Sequence, residues 1–332
     1  MPRHSLLYVP LAMAATLLAP ASALLFGPLL LGVPHLLQEL RVLTAPHRAS
    51  RGTLLVVGTP LALLVAMRLA EFAGLPRPGA SDVALGSLAI GLALLQSARH
   101  ARERLAAPTV GVPILLFALA DWQMTSLVLA HLHNLIAIVW LLRLARRASP
   151  AVMASSLRLA GLAGVGMIGV AVAGTRFSAG SNGFDGLLAA RTGFDLELAR
   201  AALAPALTTD WGTRLLLCYT FAQLLHYAIW IALIPRMVAS SESGRSVRVV
   251  AQSFTQRALR RGGLALAIAL VPFVALRTNP AEARDIYLAL AGFHGWLELA
   301  LLAAGWPASL SRRSATAPEA ELPQAAKLSA AA

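Results

Sequence analysis

The sequence predicts an all-α integral membrane protein, a polytopic bundle of about ten transmembrane helices, with about eight as the lower bound. Of its 332 residues, 58% are hydrophobic and only 13% are charged, and the mean hydropathy is +0.69. A soluble domain carries about 25% charged residues, so the composition excludes an ordinary soluble fold. The apolar residues also occur in long runs, and a helix needs about 20 of them to cross a bilayer.

The apolar runs set the number of helices. They cover residues 5–40, 53–73, 82–98, 106–142, 151–175, 211–235, 262–278 and 286–308. Two runs are too long for one crossing, and each is interrupted, at Pro20-Ala21-Ser22 and at Asp121-Trp122. Such interruptions are typical of a hairpin tip. Dividing both runs gives ten helices in a single transmembrane domain, residues 1–308.

The loop charges predict the orientation. Lys/Arg-rich loops at 41–51, 99–104, 143–147 and 236–261 alternate with loops of balanced charge. Because cytoplasmic loops are enriched in Lys and Arg, we expect a multi-pass protein of the cell inner membrane with both termini cytoplasmic. The net charge of +13 then reflects topology and predicts no nucleic-acid partner.

Three further segments follow from this topology. Residues 176–210 form an external loop with a short helix near 196–203, residues 237–261 form a cytoplasmic loop, and residues 309–332 form a disordered cytoplasmic tail. Residues 1–23 also have the basic start, apolar middle and small-residue end of a signal peptide. Cleavage there would leave the second helix in place.

The ionisable residues inside the predicted helices indicate a metal site. With one cysteine, Cys218, the chain can form neither a disulfide framework nor a cysteine-based metal site. Histidines in four helices each lie roughly 15–20 Å from the cytoplasmic boundary, near the middle of a core about 30 Å thick. A lone histidine could simply hydrogen-bond a neighbouring helix, but four helices sharing one depth predict common metal ligands. These are His35, His131, His133, His226 and His294.

His131 and His133 compete for one position, since residues two apart point about 200° apart around a helix. His133 lies on a stripe of small or polar residues with Ser126, Asn134 and Ala137. That stripe favours His133 as the ligand and leaves His131 as the alternate.

Two carboxylates follow histidines at the same spacing. Glu39 lies four residues after His35, and Glu298 lies four residues after His294. A metal-bound imidazole commonly donates its other N–H to a carboxylate, so we expect both to assist catalysis by orienting imidazoles, including those of adjacent helices. The alternative for Glu298 is a surface position near the helix end. Further hydrogen bonds around the cofactor are expected from Gln123, Asn134, Gln223 and Tyr227.

Four neutral imidazoles around Fe²⁺ would leave up to two of six positions open for dioxygen. The apolar surroundings of the site would select a lipid-soluble substrate. The stretch "LLLGVPHLLQELRVL", residues 29–43, resembles the first histidine motif of the Brp/Blh-type β-carotene dioxygenases, and "FHGWLEL", residues 293–299, has the same form. The resemblance implies a polytopic membrane enzyme that holds iron with histidines and cleaves the central double bond of β-carotene to retinal.

Two other functions stay open from the sequence. Two of the histidines on facing helices could be axial ligands of haem in a membrane electron-transfer protein. Alternatively, His and Glu side chains could form a relay along the pore of a transporter. A relay predicts polar residues spread over depth, whereas those in this sequence gather at one level.

Overall fold

The computed structural model describes residues 3–43, 51–76, 79–98, 112, 115–116, 118–146, 148–178, 183–205, 207–242 and 279–304. Within these ranges every regular element is helical, which confirms the predicted all-α class. Six of the described helical segments are long and apolar enough to cross a membrane. They are Pro20–Val42, Gly52–Phe72, Trp122–Ala145, Pro150–Gly174, Thr209–Val238 and Pro280–Ala303.

The predicted count of ten helices is matched only in part. Two shorter apolar helices, Ser5–Leu18 and Ser81–Ser97, fall in two more of the predicted runs. The run 262–278, most of 106–120, most of the loop 237–261 and the tail 309–332 lie outside the described residues. Ten helices and their orientation therefore stay a prediction.

The elements follow one another along the chain with few interruptions. A short 3-10 helix, Arg3–Leu7, leads into the first of thirteen described α-helices. They are α1 (Tyr8–Leu18), α2 (Pro20–Phe26), α3 (Val33–Leu43), α4 (Arg51–Phe72), α5 (Ser81–Ser97), α6 (Trp122–Ala145), α7 (Pro150–Ser178), α8 (Phe184–Thr192), α9 (Leu196–Leu203), α10 (Thr209–Ala228), α11 (Ile234–Glu242), α12 (Pro280–Ala291) and α13 (His294–Ala303). A π-helix at Gly27–Gly32 joins α2 to α3, and another at Ile229–Leu233 joins α10 to α11.

Both predicted interruptions coincide with helix starts. Ala19 separates α1 from α2 with a non-helical backbone (φ −150°, ψ 63°), and Pro20 occupies the first position of α2. Proline suits that position because its missing N–H has no helical partner there. Asp121 caps α6 by accepting a hydrogen bond of 3.0 Å from the backbone N–H of Met124.

The segment between α7 and α10 is largely helical. It contains α8 and also α9, which occupies the position predicted for a short helix. Asp185 at the start of α8 accepts hydrogen bonds from the backbone N–H groups of Ala21 (2.9 Å) and Ser22 (3.0 Å). The carboxylate therefore caps α2, which ties this segment to the span that carries His35.

The largest core cluster draws on most of the spans. Its bulkiest members, Trp140, Phe221 and Trp230, are fully buried. On the opposite face of α7, Val165 and Ile168 are two-thirds exposed. Large apolar side chains can face outward where the solvent is lipid rather than water. The described helices thus enclose a packed interior and present an apolar exterior.

Candidate metal centre

Three spans depart from regular α-helix beside one of the predicted histidines. The π-helix Gly27–Gly32 ends three residues before His35, and the π-helix Ile229–Leu233 begins three residues after His226. In the third span, a two-residue turn separates α12 from α13, which begins at His294. π-Helical turns are rare and occur often at functional sites. The backbone therefore marks the same region as the side chains.

Prolines and a glycine account for these irregularities. Pro28 lies inside the first π-helix, Pro34 follows it, and Pro235 follows the second one. Because proline has no N–H to give to the carbonyl four residues earlier, the neighbouring hydrogen bonds must rearrange. Gly292 stands at the turn before His294. The local sequence thus accounts for the irregular backbone beside these three histidines.

The four histidine rings meet in one cluster, which we call the imidazole cluster: His35, His133, His226 and His294. The ring centroid of His133 lies 4.5 Å from the ring centroids of both His226 and His294. The ring centroid of His35 lies 4.6 Å from that of His226 and 5.2 Å from that of His294. Across the cluster, His226 and His294 are 6.4 Å apart.

These separations suit a single bound metal ion. With a metal–nitrogen bond of about 2.0–2.1 Å, a ring centroid lies about 3.2 Å from the metal. Two such rings at right angles are then about 4.5 Å apart, and two opposite rings about 6.4 Å apart. Three sides of the imidazole cluster, at 4.5–4.6 Å, and the His226–His294 diagonal of 6.4 Å match these values, whereas the His35–His294 side is longer at 5.2 Å. One ring nitrogen from each of His35, His226 and His294 also lies within 4.8 Å of the others.

The ring of His294 is held by its own backbone. Its Nδ1 is hydrogen-bonded to the carbonyl oxygen of Ala291 in the preceding turn. Since a carbonyl can only accept, Nδ1 carries the proton and Nε2 keeps its lone pair. That Nε2 is buried and has no hydrogen-bond partner among the described residues. This is the arrangement of a metal-binding histidine whose other nitrogen is fixed by a hydrogen bond.

Both predicted carboxylates are completely buried beside the imidazole cluster. An oxygen of Glu298 lies 2.9 Å from Nδ1 of His133, which belongs to another helix. An oxygen of Glu39 lies 3.4 Å from Nε2 of His35, its own neighbour one turn earlier. Glu298 is therefore not a surface residue, and the imidazole beside it belongs to α6, an adjacent helix, which is one of the arrangements expected from the sequence.

Glu298 could also bind metal directly. Its oxygen and Nδ1 of His133 are 2.9 Å apart, yet neither atom has a hydrogen-bond partner among the described residues. The contact is therefore not a hydrogen bond. Two ligands of one metal with bonds near 2 Å lie at such a distance. His133, His226 and Glu298 accordingly form a second set of groups that could hold an ion.

Unpartnered polar atoms concentrate around the imidazole cluster. In the described part of the chain, both oxygens of Glu39 and of Glu298 and Nδ1 of His35 and His226 are buried without a hydrogen bond. Burying such groups unsatisfied is costly, and one divalent cation would balance the two carboxylate charges. The donor set therefore fits a divalent metal ion.

His131 lies outside the imidazole cluster. Its Nδ1 is 2.9 Å from the carbonyl oxygen of Leu127 in the same helix, and its Nε2 is 3.1 Å from that of Leu215 in α10. Its ring packs against Tyr219 at 5.9 Å. His131 thus contacts carbonyl oxygens of α6 and α10, as a packing histidine does, and His133 is the one that faces the cluster.

The other predicted residues divide by position. Tyr227 is buried with its ring 5.2 Å from that of His35, and Asn134 is buried next to His133 in sequence. Gln223 donates a hydrogen bond of 3.0 Å to the Tyr219 hydroxyl. Gln123 is exposed in the first turn of α6, about 15 Å along the helix from His133. The structure does not bring Gln123 to the site.

Sequence reasoning missed two residues beside the site. Tyr287 is buried with its hydroxyl lacking a partner among the described residues, and it packs on Gly32, where a Cβ would collide with its ring. Trp230 is fully buried, and its ring lies 6.1 Å from that of His35. A glycine three residues before His35 was the available signal for a close approach. Nothing in the local pattern named its aromatic partner.

Comparison with protein-family models, with curated proteins and with solved structures finds no match to this chain. The features that bear on function are the imidazole cluster and its two carboxylates. Their burial within apolar spans and their separations limit what can bind there.

Proposed function

We propose that this chain is a membrane-embedded iron oxygenase that acts on a lipid-soluble substrate. The observation that carries the proposal is the imidazole cluster, formed by side chains from four apolar spans with two buried carboxylates beside it. Ionisable groups inside membrane spans are costly and usually mark a function. A group of six is difficult to explain by packing alone.

Iron is the metal we propose, because imidazole donors suit Zn, Cu, Fe and Ni alike and the residue pattern resembles that of iron dioxygenases. Bound Fe²⁺ would supply the redox chemistry that activates dioxygen, with up to two of six positions open. Glu298 and Glu39 would keep the imidazoles oriented and balance the charge of the cation. The buried aromatic residues around them, including Trp230, would exclude water.

The proposed substrate class is a carotenoid-like polyene. In a dioxygenase cleavage one carbon–carbon double bond breaks, and each of its two carbons takes one oxygen atom of the same dioxygen molecule. β-Carotene would then give two molecules of retinal. The reaction balances without an external reductant or a net proton. This agrees with a site built from neutral imidazoles in an apolar interior.

Metal analysis and product analysis together test the proposal. Purified protein reconstituted with Fe²⁺ should hold about one iron per chain, which His294→Ala should abolish. Chromatography after incubation with β-carotene and dioxygen should show retinal from the wild-type protein and none from His294→Ala. Absence of bound metal in the wild-type protein would overturn the proposal. Iron binding without cleavage of any polyene tested would leave only the metal site standing.

The alternatives are less well supported by the geometry. Haem takes two axial histidines. Here four histidine rings form one cluster, with ring centroids 4.5–6.4 Å apart. A transporter relay would distribute its polar groups along a pathway. A Soret band in the purified protein would instead support haem binding.

For location, we propose the inner membrane with both termini on the cytoplasmic side, from the Lys/Arg-rich loops. Cysteines introduced at Ser97 and Ser243 should both be protected from an impermeant thiol reagent added outside intact cells. The native Cys218 is buried, so it provides a low background. Labelling of either introduced cysteine from outside contradicts this orientation.

A further inference from the structure

Arg68 is an arginine inside an apolar span that reaches across to the helix pair carrying His294. Its Nε and Nη2 donate to one oxygen of Asp82 on α5, at 3.0 and 2.6 Å. Its Nη1 donates to the carbonyl oxygen of Leu288 on α12 at 3.1 Å. A charged side chain in a membrane span normally has a defined partner or task. Here one guanidinium joins three helices, α4, α5 and α12.

The carbonyl that Arg68 binds belongs to a helix end. The last four carbonyls of a helix have no partner within it, and in α12 these are the carbonyls of residues 288–291. Arg68 satisfies the first of the four. His294 satisfies the last, through the bond from its Nδ1 to the Ala291 oxygen. The turn that orients the His294 ring is thus bonded at both of its edges.

The fit of Arg68 against this turn is close. A Cβ at Gly292 would collide with Nη1 of Arg68, so glycine lets the guanidinium lie directly on the backbone between Leu288 and His294. Arg68 and Asp82 are both partly buried, with side-chain exposures of 25% and 15%. The ion pair is therefore shielded from bulk solvent, where pairs contribute little.

We propose that Arg68 is a positioning residue for the metal centre: with Asp82 it fixes the turn between α12 and α13, and so fixes the tautomer and direction of the His294 imidazole. The metal readout of this proposal rests on the function proposed above. The orientation of the His294 ring does not, because the bond to Ala291 exists without a metal.

The chain offers a matched control in Arg214. Its Nε donates to Asp210 at 3.0 Å and its Nη1 donates to the carbonyl oxygen of Ala171 on α7 at 2.7 Å. This is the same chemistry, an Arg–Asp pair plus one bond to a carbonyl of a neighbouring helix. Arg214 lies twelve residues before His226, which is about 18 Å along the helix axis.

The test compares two double variants of the full-length protein. Arg68→Met/Asp82→Asn removes both charges of the first pair, so that no lone charge remains in the membrane. Arg214→Met/Asp210→Asn does the same at the control pair. With ¹⁵N-labelled histidine and no metal, NMR reports the tautomer of each ring, and His294→Ala identifies the signal of His294. Fe²⁺ affinity is then measured on the same samples by competition with a chelator.

The expected result is specific to one pair. In the Arg68 variant, His294 should change from a single Nδ1–H tautomer to a mixture of both, and Fe²⁺ affinity should fall about 10- to 100-fold. The Arg214 variant should keep the wild-type tautomer and affinity. An unchanged His294 signal in the Arg68 variant, or equal changes in both variants, would overturn the proposal. If wild-type protein binds no metal, the proposed function fails, while the tautomer comparison still decides the role of Arg68.

Discussion

The imidazole of His133 packs directly on the backbone of Gly295, one residue after His294 in the facing helix. A Cβ at position 295 would lie 2.9 Å from Nδ1 and 3.0 Å from Cγ of His133, closer than a side chain tolerates. The glycine therefore lets a histidine from α6 and a histidine from α13 share one site. The contact gives a physical reason for the His-Gly pair in "FHGWLEL".

We predict that Gly295→Ala displaces His133 and lowers Fe²⁺ affinity by at least about tenfold, the lower end of the range for disturbing a ligand's surroundings. Alanine favours a helix over glycine by up to about 1 kcal/mol, so loss of metal cannot be ascribed to a weaker helix. Gly161→Ala is the control, because a Cβ there meets nothing within 4 Å. Wild-type affinity in Gly295→Ala would show that the ring can move aside without cost.

Substitution of the two histidines of α6, His131 and His133, should have different effects on stability and on metal binding. The ring of His131 lies between two carbonyl oxygens, one of them on α10, and a neutral imidazole has one N–H to donate, so we expect His131→Ala to cost about 1 kcal/mol for one hydrogen bond and to lower Tm. Metal stoichiometry should not change. His133→Ala should lose metal instead. Thermal unfolding followed by metal analysis checks both, and loss of iron in His131→Ala would contradict the assignment.

The meeting of histidines from four spans was predictable from the sequence, and the particular partner of each carboxylate was not. Run lengths and basic loops placed His35, His226 and His294 at one level, because a helix advances by a fixed rise per residue. The spacing of four put Glu298 on the same helix face as His294, and a histidine of an adjacent helix was also expected as a partner. The contact is with His133 of another helix. The spacing of residues along one helix cannot identify which residue of a neighbouring helix packs against it.

The choice between two neighbouring histidines was also predictable, for a physical reason. Small residues on one face of α6 let another helix approach, and Asn134 and Ala137 on that face are buried. The π-helices were not predictable in kind. Pro28 and Pro235 indicate a break in helical hydrogen bonding, but a kink, a turn and a π-helix would all satisfy that pattern.

The cap on α2 should contribute to stability but not to metal binding. Asp185 accepts from two backbone N–H groups at the start of that helix, and loss of a cap costs about 0.5–2 kcal/mol. Asp185→Ala should therefore lower Tm while iron stoichiometry stays unchanged. Asp195→Ala removes a cap from α9, where the side chain accepts from Leu198 at 2.7 Å in an exposed position. An equal or larger loss in Asp195→Ala would contradict the importance of the buried cap.

The two buried carboxylates should differ in their effect on metal binding. Glu298 approaches His133 at 2.9 Å, whereas Glu39 is 3.4 Å from its own neighbour His35, so Glu298 has the closer contact with a proposed ligand. We expect Glu298→Gln to weaken Fe²⁺ binding about 10- to 100-fold and Glu39→Gln to weaken it less. A ligand that binds only the folded state raises Tm in proportion to the logarithm of its affinity. The iron-induced rise in Tm should thus be smallest in Glu298→Gln, intermediate in Glu39→Gln and largest in the wild-type protein, and the reverse order for the two variants would mean that Glu39 is the more direct partner of the metal.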